Sequence, residues 1–366
     1  MKIEEIKDYQ SFIEIESDWK TLINISEDST IFQTWEWNLN WWQVYEVEQK
    51  SRRPLDIIIL VAYDQNTVVG IAPLCFEKIP LSPVRQLIFL GGWQTDYCNF
   101  IIAPGYHSIV VKAFIERIKN TIGIWDLVGL KQLHSSFQTT KLMQNMAFLQ
   151  RTTISTHLEL PSTTSELEKI VSRTMMQNLK SYRRSLQKKY DIQLIVADSK
   201  SFIQDIESFF YLHQRRWEMK GQSGALGLVE KLFHKKVGIN FLNKGYIKLF
   251  SMKANEQYIA AKCCYVYKGV MTSYLSGFEP SFGKFRLGSI LNYECINYAI
   301  EAGYNFYDFG IGNEQYKMLW HPKVSAVYGW EYARQNLFSQ LILSRYGQIS
   351  KMITETHDTN NNVQSY

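Results

Sequence analysis

The pattern of apolar and polar positions predicts the same order of strands and helices twice along the chain. In the first half it predicts strands at Asp56–Tyr63, Val68–Glu77 and Arg85–Leu90, a helix at Ile109–Thr121, and a short buried strand that begins at Trp125. Strands and helices alternate instead of forming separate blocks. This mixture predicts an α/β (α+β) fold with a central mixed sheet.

The second half repeats this plan. Its predicted strands are Tyr246–Lys253, Gln257–Tyr267, Val270–Phe278 and Tyr307–Gly310, and its predicted helix at about Ser289–Ala302 ends at the helix-stopping Gly303. Asp126-Leu-Val-Gly in the first half and Asp308-Phe-Gly in the second occupy matching places. We therefore expect an internal duplication, with two tandem domains that each contain a mixed sheet flanked by helices.

The domain boundaries follow from this repeat. We predict an N-terminal domain at 1–160, a basic helical linker at 161–190, a C-terminal domain at 191–335, and a C-terminal helix with a disordered tail at 336–366. The linker is predicted to hold a helix at Glu166–Val171, begun by a capping box of Ser165 and Glu168, and a second helix at Thr174–Lys189.

Composition narrows the class of protein. A hydrophobic fraction of 46% and an aromatic fraction of 14% over 366 residues are typical of a folded chain with large cores. The net charge of +5 is too mild for a general nucleic-acid binder, so no nucleic-acid partner is expected. The first residues lack an apolar signal region, and no window is apolar enough to span a membrane, although peripheral membrane contact by the C-terminal helix stays open.

The metal-binding residue types point to a reduced compartment. The five cysteines are odd in number and lack CxxC spacing, and the seven histidines show no HxxxH pattern. Buried free thiols, no metal and a cytoplasmic location are the expectations.

A candidate anion site lies between the strand ending near Phe278 and the helix that follows. The loop contains Gly283, Arg286, Gly288 and Ser289. Backbone N–H groups and the helix dipole favour a phosphate at such a helix N-terminus. The loop is neither a Walker A nor a GxGxxG pattern, so ATP and dinucleotides are not expected. A simple helix N-cap is the alternative interpretation.

A set of short motifs carries a resemblance to a known family. The motifs are Phe32–Trp37 (FQTWEW), Tyr182–Leu186 (YRRSL), Leu212–Trp217 (LHQRRW), Ile259–Ala261 (IAA), Ser276–Phe278 (SGF), Tyr307–Gly310 (YDFG) and Tyr316–Trp320 (YKMLW). Together they resemble the acyltransferases grouped with cellulose-biosynthesis protein CelD (BcsL), in the GNAT superfamily. This group is related to the Fem-type transferases that build peptidoglycan cross-bridges. The resemblance covers about residues 30–335.

The resemblance implies a function and a donor. It implies an N-acyltransferase that uses acyl-CoA, with acetyl-CoA expected, and no metal. The acceptor would be an amine of a sugar, an amino acid or a cell-envelope or polysaccharide precursor, and the amine would attack directly. The pyrophosphate of CoA would lie on the Gly283–Ser289 loop, which matches the GNAT pattern in one glycine but has Ser289 at its last position.

The resemblance also assigns catalytic candidates. Tyr316 would protonate the CoA sulfur, or it is one of many packing tyrosines. Lys317 would stabilise developing negative charge, or it is a surface lysine. Asp308 is either a general base or a structural carboxylate that holds the Gly310–Gly312 loop, and Glu279 is the second candidate base.

Five further residues are candidates for acceptor binding. Arg183 and Arg184 lie on the basic helix and could clamp an anionic group, or form a solvated basic face. His213, Arg216 and Trp217 fall on a helix predicted at Phe209–Lys220. The alternative for His213 is a core histidine, and packing alone explains Trp217.

Two rival functions stay open. One is a Fem-like aminoacyl-tRNA-dependent transferase. The lysine expected after the stretch Gln33–Trp37 is missing before Lys50, which counts against it. The other is a catalytically inactive module that binds a glycan or nucleotide sugar. The sequence leaves the acyl chain, the acceptor amine and the oligomeric state undetermined.

Overall fold

The computed structural model describes residues 1–49, 55–78, 84–120, 125–147, 149–219, 221, 224 and 226–333. These residues form two compact units. The first comprises Met1–Thr153 with the described residues from Ala326 onward, and the second is Ile154–Ser325. Both helices of the predicted linker belong to the second unit. The predicted C-terminal helix and tail at 336–366 lie outside the described residues.

The strands and helices are numbered in chain order. Within the described ranges, the strands are β1 (Lys2–Ile6), β2 (Leu55–Ile57), β3 (Ile59–Asp64), β4 (Thr67–Ala72), β5 (Leu74–Lys78), β6 (Arg85–Phe89), β7 (Ile101–Ile102), β8 (Leu127–His134), β9 (Gln150–Glu159), β10 (Ile192–Val196), β11 (Ile247–Ala254), β12 (Gln257–Tyr267), β13 (Val270–Phe278), β14 (Phe306–Ile311) and β15 (Lys323–Ala333). The α-helices are α1 (Tyr9–Glu14), α2 (Glu16–Ile25), α3 (Trp35–Gln49), α4 (His107–Asn120), α5 (Gln138–Met146), α6 (Thr164–Ile170), α7 (Arg173–Gln187), α8 (Phe202–Glu218), α9 (Leu228–Leu242), α10 (Leu287–Glu301) and α11 (Gln315–Met318), and 3₁₀ turns occupy Ile31–Gln33, Gly92–Gln94 and Pro280–Phe285.

The first unit contains two sheets where the sequence pattern indicated one. Strands β1, β3, β4 and β7 form one sheet, and β2, β5, β6, β8 and β15 form the other. The predicted strands Asp56–Tyr63 and Val68–Glu77 are each divided between the two sheets, at Ile58 and at Pro73. Proline has no N–H to donate to a ladder, so Pro73 suits a point where a strand leaves one sheet for the other.

The second unit is built on the sheet β10-β11-β12-β13-β14-β9. Helix α10 connects β13 to β14, which are parallel neighbours. Helices α8 and α10 pack on opposite faces of this sheet. Lys262 on β12 bonds to Asn292 of α10 and pairs with Ser276 on β13, so the next residue, Gly277, faces the other side, where α8 lies.

The core of the second unit lies between the sheet and helices α7 and α10. Fully buried Tyr307, Ile296, Leu291 and Phe250 are part of it. All five cysteines are buried and free, which confirms the prediction of buried thiols.

Both units share one strand pattern. In the second, β12-β13-β14-β9 pair antiparallel, parallel and antiparallel. In the first, β5-β6-β8-β15 pair in the same sequence of directions. Helix α4 connects β6 to β8, as α10 connects β13 to β14. The predicted fold class, with mixed sheets flanked by helices, is confirmed.

Helix ends were predicted with mixed success. Gly303 follows α10 with φ +73°, and the bonds Tyr304 N–H to Ala299 O and Gly303 N–H to Ile300 O form a Schellman motif. The predicted capping box of Ser165 and Glu168 is wrong. Thr163 caps α6 by accepting from Glu166 N–H, and Glu166 accepts from Ser162 N–H. Thr163 caps the helix in place of Ser165 because Thr163 directly precedes the first helical turn, whereas Ser165 lies within it.

Candidate active site

The candidate site lies where β13 and β14 separate. The two strands pair only through Val270–Thr272 and Phe306–Asp308. Beyond this, β13 continues along β12, with a bulge at Tyr274, while β14 continues along β9. The carboxyl ends of two neighbouring parallel strands therefore diverge, and such a divergence leaves room for a ligand.

Lys317 is buried at the end of β14. Its side chain is 2% exposed, and its ammonium donates to Ile311 O at 2.8 Å, to Gly310 O at 3.4 Å and to Glu314 Oε2 at 2.8 Å. The interpretation of Lys317 as a surface lysine is wrong. A buried charge needs such partners, because leaving water is costly for an ammonium group.

Glu314 was not among the sequence candidates. Its side chain is 43% exposed, and its carboxylate pairs with Lys317 and lies over Gly312. A Cβ at Gly312 would lie 2.4 Å from Glu314 Oε2, and Gly312 has φ +118°. The positive φ is the reason for glycine there, because the Glu314 side chain could move away from a Cβ. The spacing of Gly312, Glu314 and Lys317 could have indicated this ion pair. An acidic residue three positions before a lysine is common on protein surfaces, however, so the spacing was not distinctive.

Arg216 reaches the end of β13 from α8. Its Nη1 donates to Ser276 Oγ at 2.9 Å and to Ser276 O at 3.3 Å, and its guanidinium lies 5.1 Å from the centre of the Phe278 ring. Burial lowers the pKa of Arg216, whereas nearby Tyr316 and Glu314 raise it. Arg216 thus lies within electrostatic reach of the residues at the end of β14.

Lys262 is a second buried cation that the sequence analysis missed. It is 3% exposed, and its ammonium bonds to Ser273 Oγ at 2.8 Å and to Asn292 Oδ1. Its pKa is lowered chiefly by burial and further by Arg216 and Lys317, while Cys264 and Cys295 raise it. Lys262 therefore lies within electrostatic reach of Arg216 and Lys317, and its burial disfavours its own charged form.

Asp308 makes the bond expected of a structural carboxylate. Its Oδ1 accepts from Gly310 N–H at 2.8 Å, and the residue is 7% exposed. This bond holds the turn that supplies Gly310 O to Lys317. A catalytic role for Asp308 stays a prediction.

Glu279 is also engaged. It is 7% exposed, begins the 3₁₀ turn Pro280–Phe285 by accepting from Ser281, and lies 3.6 Å from Arg215 Nε. Its nearest cation is thus Arg215, a residue absent from the sequence candidates. A role as general base stays a prediction.

His213 is a buried, neutral histidine. It is 2% exposed, and its Nε2 accepts from Trp217 Nε1 at 3.0 Å. Burial, with help from Arg216 and Lys231, lowers the pKa of His213 to about 4. Because its Nε2 lone pair is used by Trp217, the histidine orients the indole ring; this is the core role given as the alternative.

The predicted donor loop leads into α10. Gly283 and Gly288 adopt ordinary negative φ, and a Cβ at either would meet no atom within 4 Å. The fold itself therefore does not require glycine at these two places. Arg286 at the N-cap adopts φ +52°, an unfavourable conformation for a residue with a Cβ. Ser289 N–H bonds to Arg286 O at 2.9 Å in the first turn.

Arg183 and Arg184 lie on α7 and have partners on helices α10 and α7. Arg183 lies 2.9 Å from Glu294 of α10, and Arg184 Nε donates to Lys180 O. The five predicted acceptor-binding residues therefore fall in two places. His213, Arg216 and Trp217 are on α8, beside the end of β13, and the two arginines are on α7.

Known proteins resemble this chain in part of its sequence and in its fold. Residues 173–318 match the family model described as an acetyltransferase (GNAT) domain. In structure, the chain is similar to FemX, with a TM-score of 0.65 and 11% identity over 93% of this chain and 99% of that one. It is also similar to L-PGS from Bacillus licheniformis, with a TM-score of 0.55 and 11% identity over 90% of this chain and 95% of that one. A sequence search of curated proteins gave no match.

The family match is confined to residues 173–318, so this part of the second unit is similar to a GNAT-type acetyltransferase domain. At 11% identity the two structural likenesses concern the fold alone. Membership in the CelD (BcsL) group stays a prediction. No helix in the described part of the chain is long and apolar enough to cross a membrane.

Proposed function

We propose that this protein is an N-acyltransferase that transfers an acyl group from acyl-CoA to an amine of a sugar, an amino acid or an envelope precursor. One observation carries the proposal. The segments at the diverging ends of β13 and β14 carry the exposed Tyr316, the buried ammonium of Lys317 and the partly buried guanidinium of Arg216. Acyl transfer needs these groups, because negative charge develops on the carbonyl oxygen and then on the sulfur.

The reaction assigns a task to Lys317 and to Tyr316. The acceptor ammonium first loses a proton to water, and the neutral nitrogen adds to the thioester carbon. Lys317 stabilises the resulting oxyanion. The C–S bond then breaks, the new amide nitrogen loses its extra proton to water, and Tyr316, which is 37% exposed, protonates the departing thiolate.

The donor loop fits the phosphates of CoA. Gly283 and Gly288 open onto free space, so a phosphate oxygen has room to reach the N–H groups at the start of α10. Arg286 supplies positive charge at the same helix end.

Donor binding is tested by calorimetry with acetyl-CoA, a longer acyl-CoA and free CoA. Gly288→Asp would place a carboxylate against the phosphate and should weaken binding at least tenfold, or about 1.4 kcal/mol. Gly245→Asp controls for the added charge, since a Cβ there also meets nothing within 4 Å; because Gly245, unlike Gly288, has φ +69°, the Tm of this control is measured as well. Equal CoA affinity in wild type and Gly288→Asp would remove this loop from the donor site.

A second candidate is an aminoacyl-tRNA-dependent transferase of the Fem type, which the likeness to FemX favours. Transfer from an aminoacyl-tRNA, with no binding of acetyl-CoA, would select it. The third candidate, an inactive glycan or nucleotide-sugar binder, predicts saturable binding of such a sugar and no turnover.

A further inference from the structure

Lys317 has no donor left for a substrate in this structure. An ammonium group has three N–H bonds. Ile311 O, Gly310 O and Glu314 Oε2 are its three acceptors, all within 3.4 Å. An oxyanion can be stabilised only if one of these acceptors gives way.

Glu314 is the acceptor that can give way. The two carbonyls belong to the backbone at the end of β14, where the bond from Gly310 N–H to Asp308 fixes the turn. The Glu314 carboxylate is instead at the end of a flexible side chain and is 43% exposed. Displacement of the Glu314 carboxylate would therefore free one Lys317 donor without any change in the backbone.

Charge decides what displaces it. Lys317 and Arg216 are two cationic side chains at the ends of these strands, and Glu314 acts electrostatically on Arg216 as well as pairing with Lys317. An incoming anion alone would have to compete with this carboxylate. An incoming cation can pair with Glu314 and release one Lys317 donor.

We propose that Glu314 is a positioning residue that keeps the Lys317 donor closed until the ammonium of the acceptor binds. The inference rests on the proposed acyl transfer. The exchange keeps every charge paired. Glu314 leaves Lys317 and pairs with the acceptor ammonium, and Lys317 then donates to the oxyanion. Its consequence is that acyl-CoA is protected from water until a cationic acceptor is present.

The first test measures hydrolysis of acetyl-CoA without any amine. In this side reaction water adds to the thioester carbon, the C–S bond breaks, and acetate, the CoA thiol and a proton are released. Glu314→Gln keeps the shape of the side chain and removes its charge. It should hydrolyse acetyl-CoA at least about tenfold faster than wild type, because one Lys317 donor is no longer held by a carboxylate.

The matched control is Glu207→Gln, which removes the charge from an ion pair with Lys235 elsewhere in the second unit. It should leave hydrolysis at the wild-type rate. Tetramethylammonium chloride supplies a cation that cannot be acylated. It should accelerate hydrolysis in wild type relative to sodium chloride at the same ionic strength, and have no effect on Glu314→Gln.

A second measurement needs no turnover. Sodium formate, a small carboxylate probe, should raise the Tm of Glu314→Gln above its value in sodium chloride at equal ionic strength, and leave the wild-type Tm unchanged. Equal hydrolysis and equal formate response in both proteins would overturn the inference. Failure of wild type to bind acetyl-CoA in calorimetry would instead overturn the proposed function, and the formate result would still decide the inference.

Discussion

Tyr316 and Lys317 are adjacent in sequence but occupy opposite environments. The tyrosine is 37% exposed and the lysine 2% exposed. On a single helical turn, the Tyr316 side chain is exposed to solvent, while the next side chain, Lys317, is held in the interior by the backbone carbonyls of Gly310 and Ile311. The pair therefore combines a proton donor that solvent can reach with a fixed positive charge.

Tyr316→Phe tests the proton donor. The change removes only the hydroxyl from a half-exposed ring, so the free energy of unfolding should stay within about 0.5 kcal/mol of wild type. If the hydroxyl protonates the thiolate, kcat should fall by about 10²–10⁴-fold. Steady-state kinetics would check this. The control is Tyr211→Phe, which changes an exposed tyrosine on α8. Full activity in Tyr316→Phe would exclude it as the acid.

Lys317→Met tests the buried ammonium. The apolar stem is kept and the charge is lost, so kcat should fall by roughly 10²–10³-fold if Lys317 stabilises the oxyanion. A contact made equally before and in the transition state would instead raise KM and leave kcat unchanged. The Tm should also fall, because Gly310 O and Ile311 O lose their donor. An unaltered kcat in a folded variant would contradict the role.

The two buried histidines on α8 and α9 predict acid sensitivity. The pKa of His213 is lowered to about 4 and that of His234 to about 3, in both cases chiefly by burial. Between these values and the ordinary pKa of about 6.5, the unfolded chain binds more protons than the folded one, so stability falls as pH falls through this window. Urea unfolding at pH 7 and pH 5 should show the loss, and His234→Phe should lessen it. A free energy of unfolding that is equal at both pH values would refute the prediction.

At the scale of elements, the contact between α8 and β13 depends on one glycine. A Cβ at Gly277 would lie 2.2 Å from the backbone nitrogen of His213, and backbone cannot move aside as a flexible side chain can. The helix can carry Arg216 to the end of β13 only because this position lacks a side chain.

Gly277→Ala should therefore destabilise the protein by about 3 kcal/mol or more. Gly283→Ala is the matched control, since a Cβ there meets nothing within 4 Å, and its Tm should be close to that of wild type. Thermal unfolding of the two variants measures this difference in stability. Equal Tm values would mean that α8 and β13 adjust freely.

At the scale of the whole molecule, the second unit is continuous in sequence. Ile154–Ser325 contains the hydrophobic core around α10 and every residue of the candidate site. Its length is in the usual range of independent domains.

A fragment of residues 154–325 should therefore fold and bind acetyl-CoA with a Kd within about threefold of that of the full chain, since one factor of ten corresponds to about 1.4 kcal/mol. Circular dichroism and calorimetry would measure folding and binding. A folded fragment that fails to bind acetyl-CoA, beside a full chain that binds it, would show that the first unit contributes to the donor site.

The sequence alone determined several elements of the second unit closely. It missed β10 and α9, and it began α8 at Phe209, whereas the helix begins at Phe202. The predicted bounds of β12 and β13 agree with the structure, and Gly303 ends α10 as expected. These features depend on the periodicity of neighbouring residues and on local backbone conformation, which the sequence states directly. The division of two predicted strands between sheets was missed, because a short apolar run has the same pattern whether it stays in one sheet or crosses to another.

The tertiary structure alone decided the chemistry of the site. Nothing local marks Lys317 as buried, because a buried ammonium is unfavourable until a turn of β14 supplies carbonyls and Glu314 a carboxylate. Arg216 meets Ser276 across 60 residues, and Lys262 meets Asn292 across 30. Such contacts depend on where two strands diverge and on which helix covers each face of the sheet. The hydrophobic periodicity of a single strand or helix carries no information about these two features.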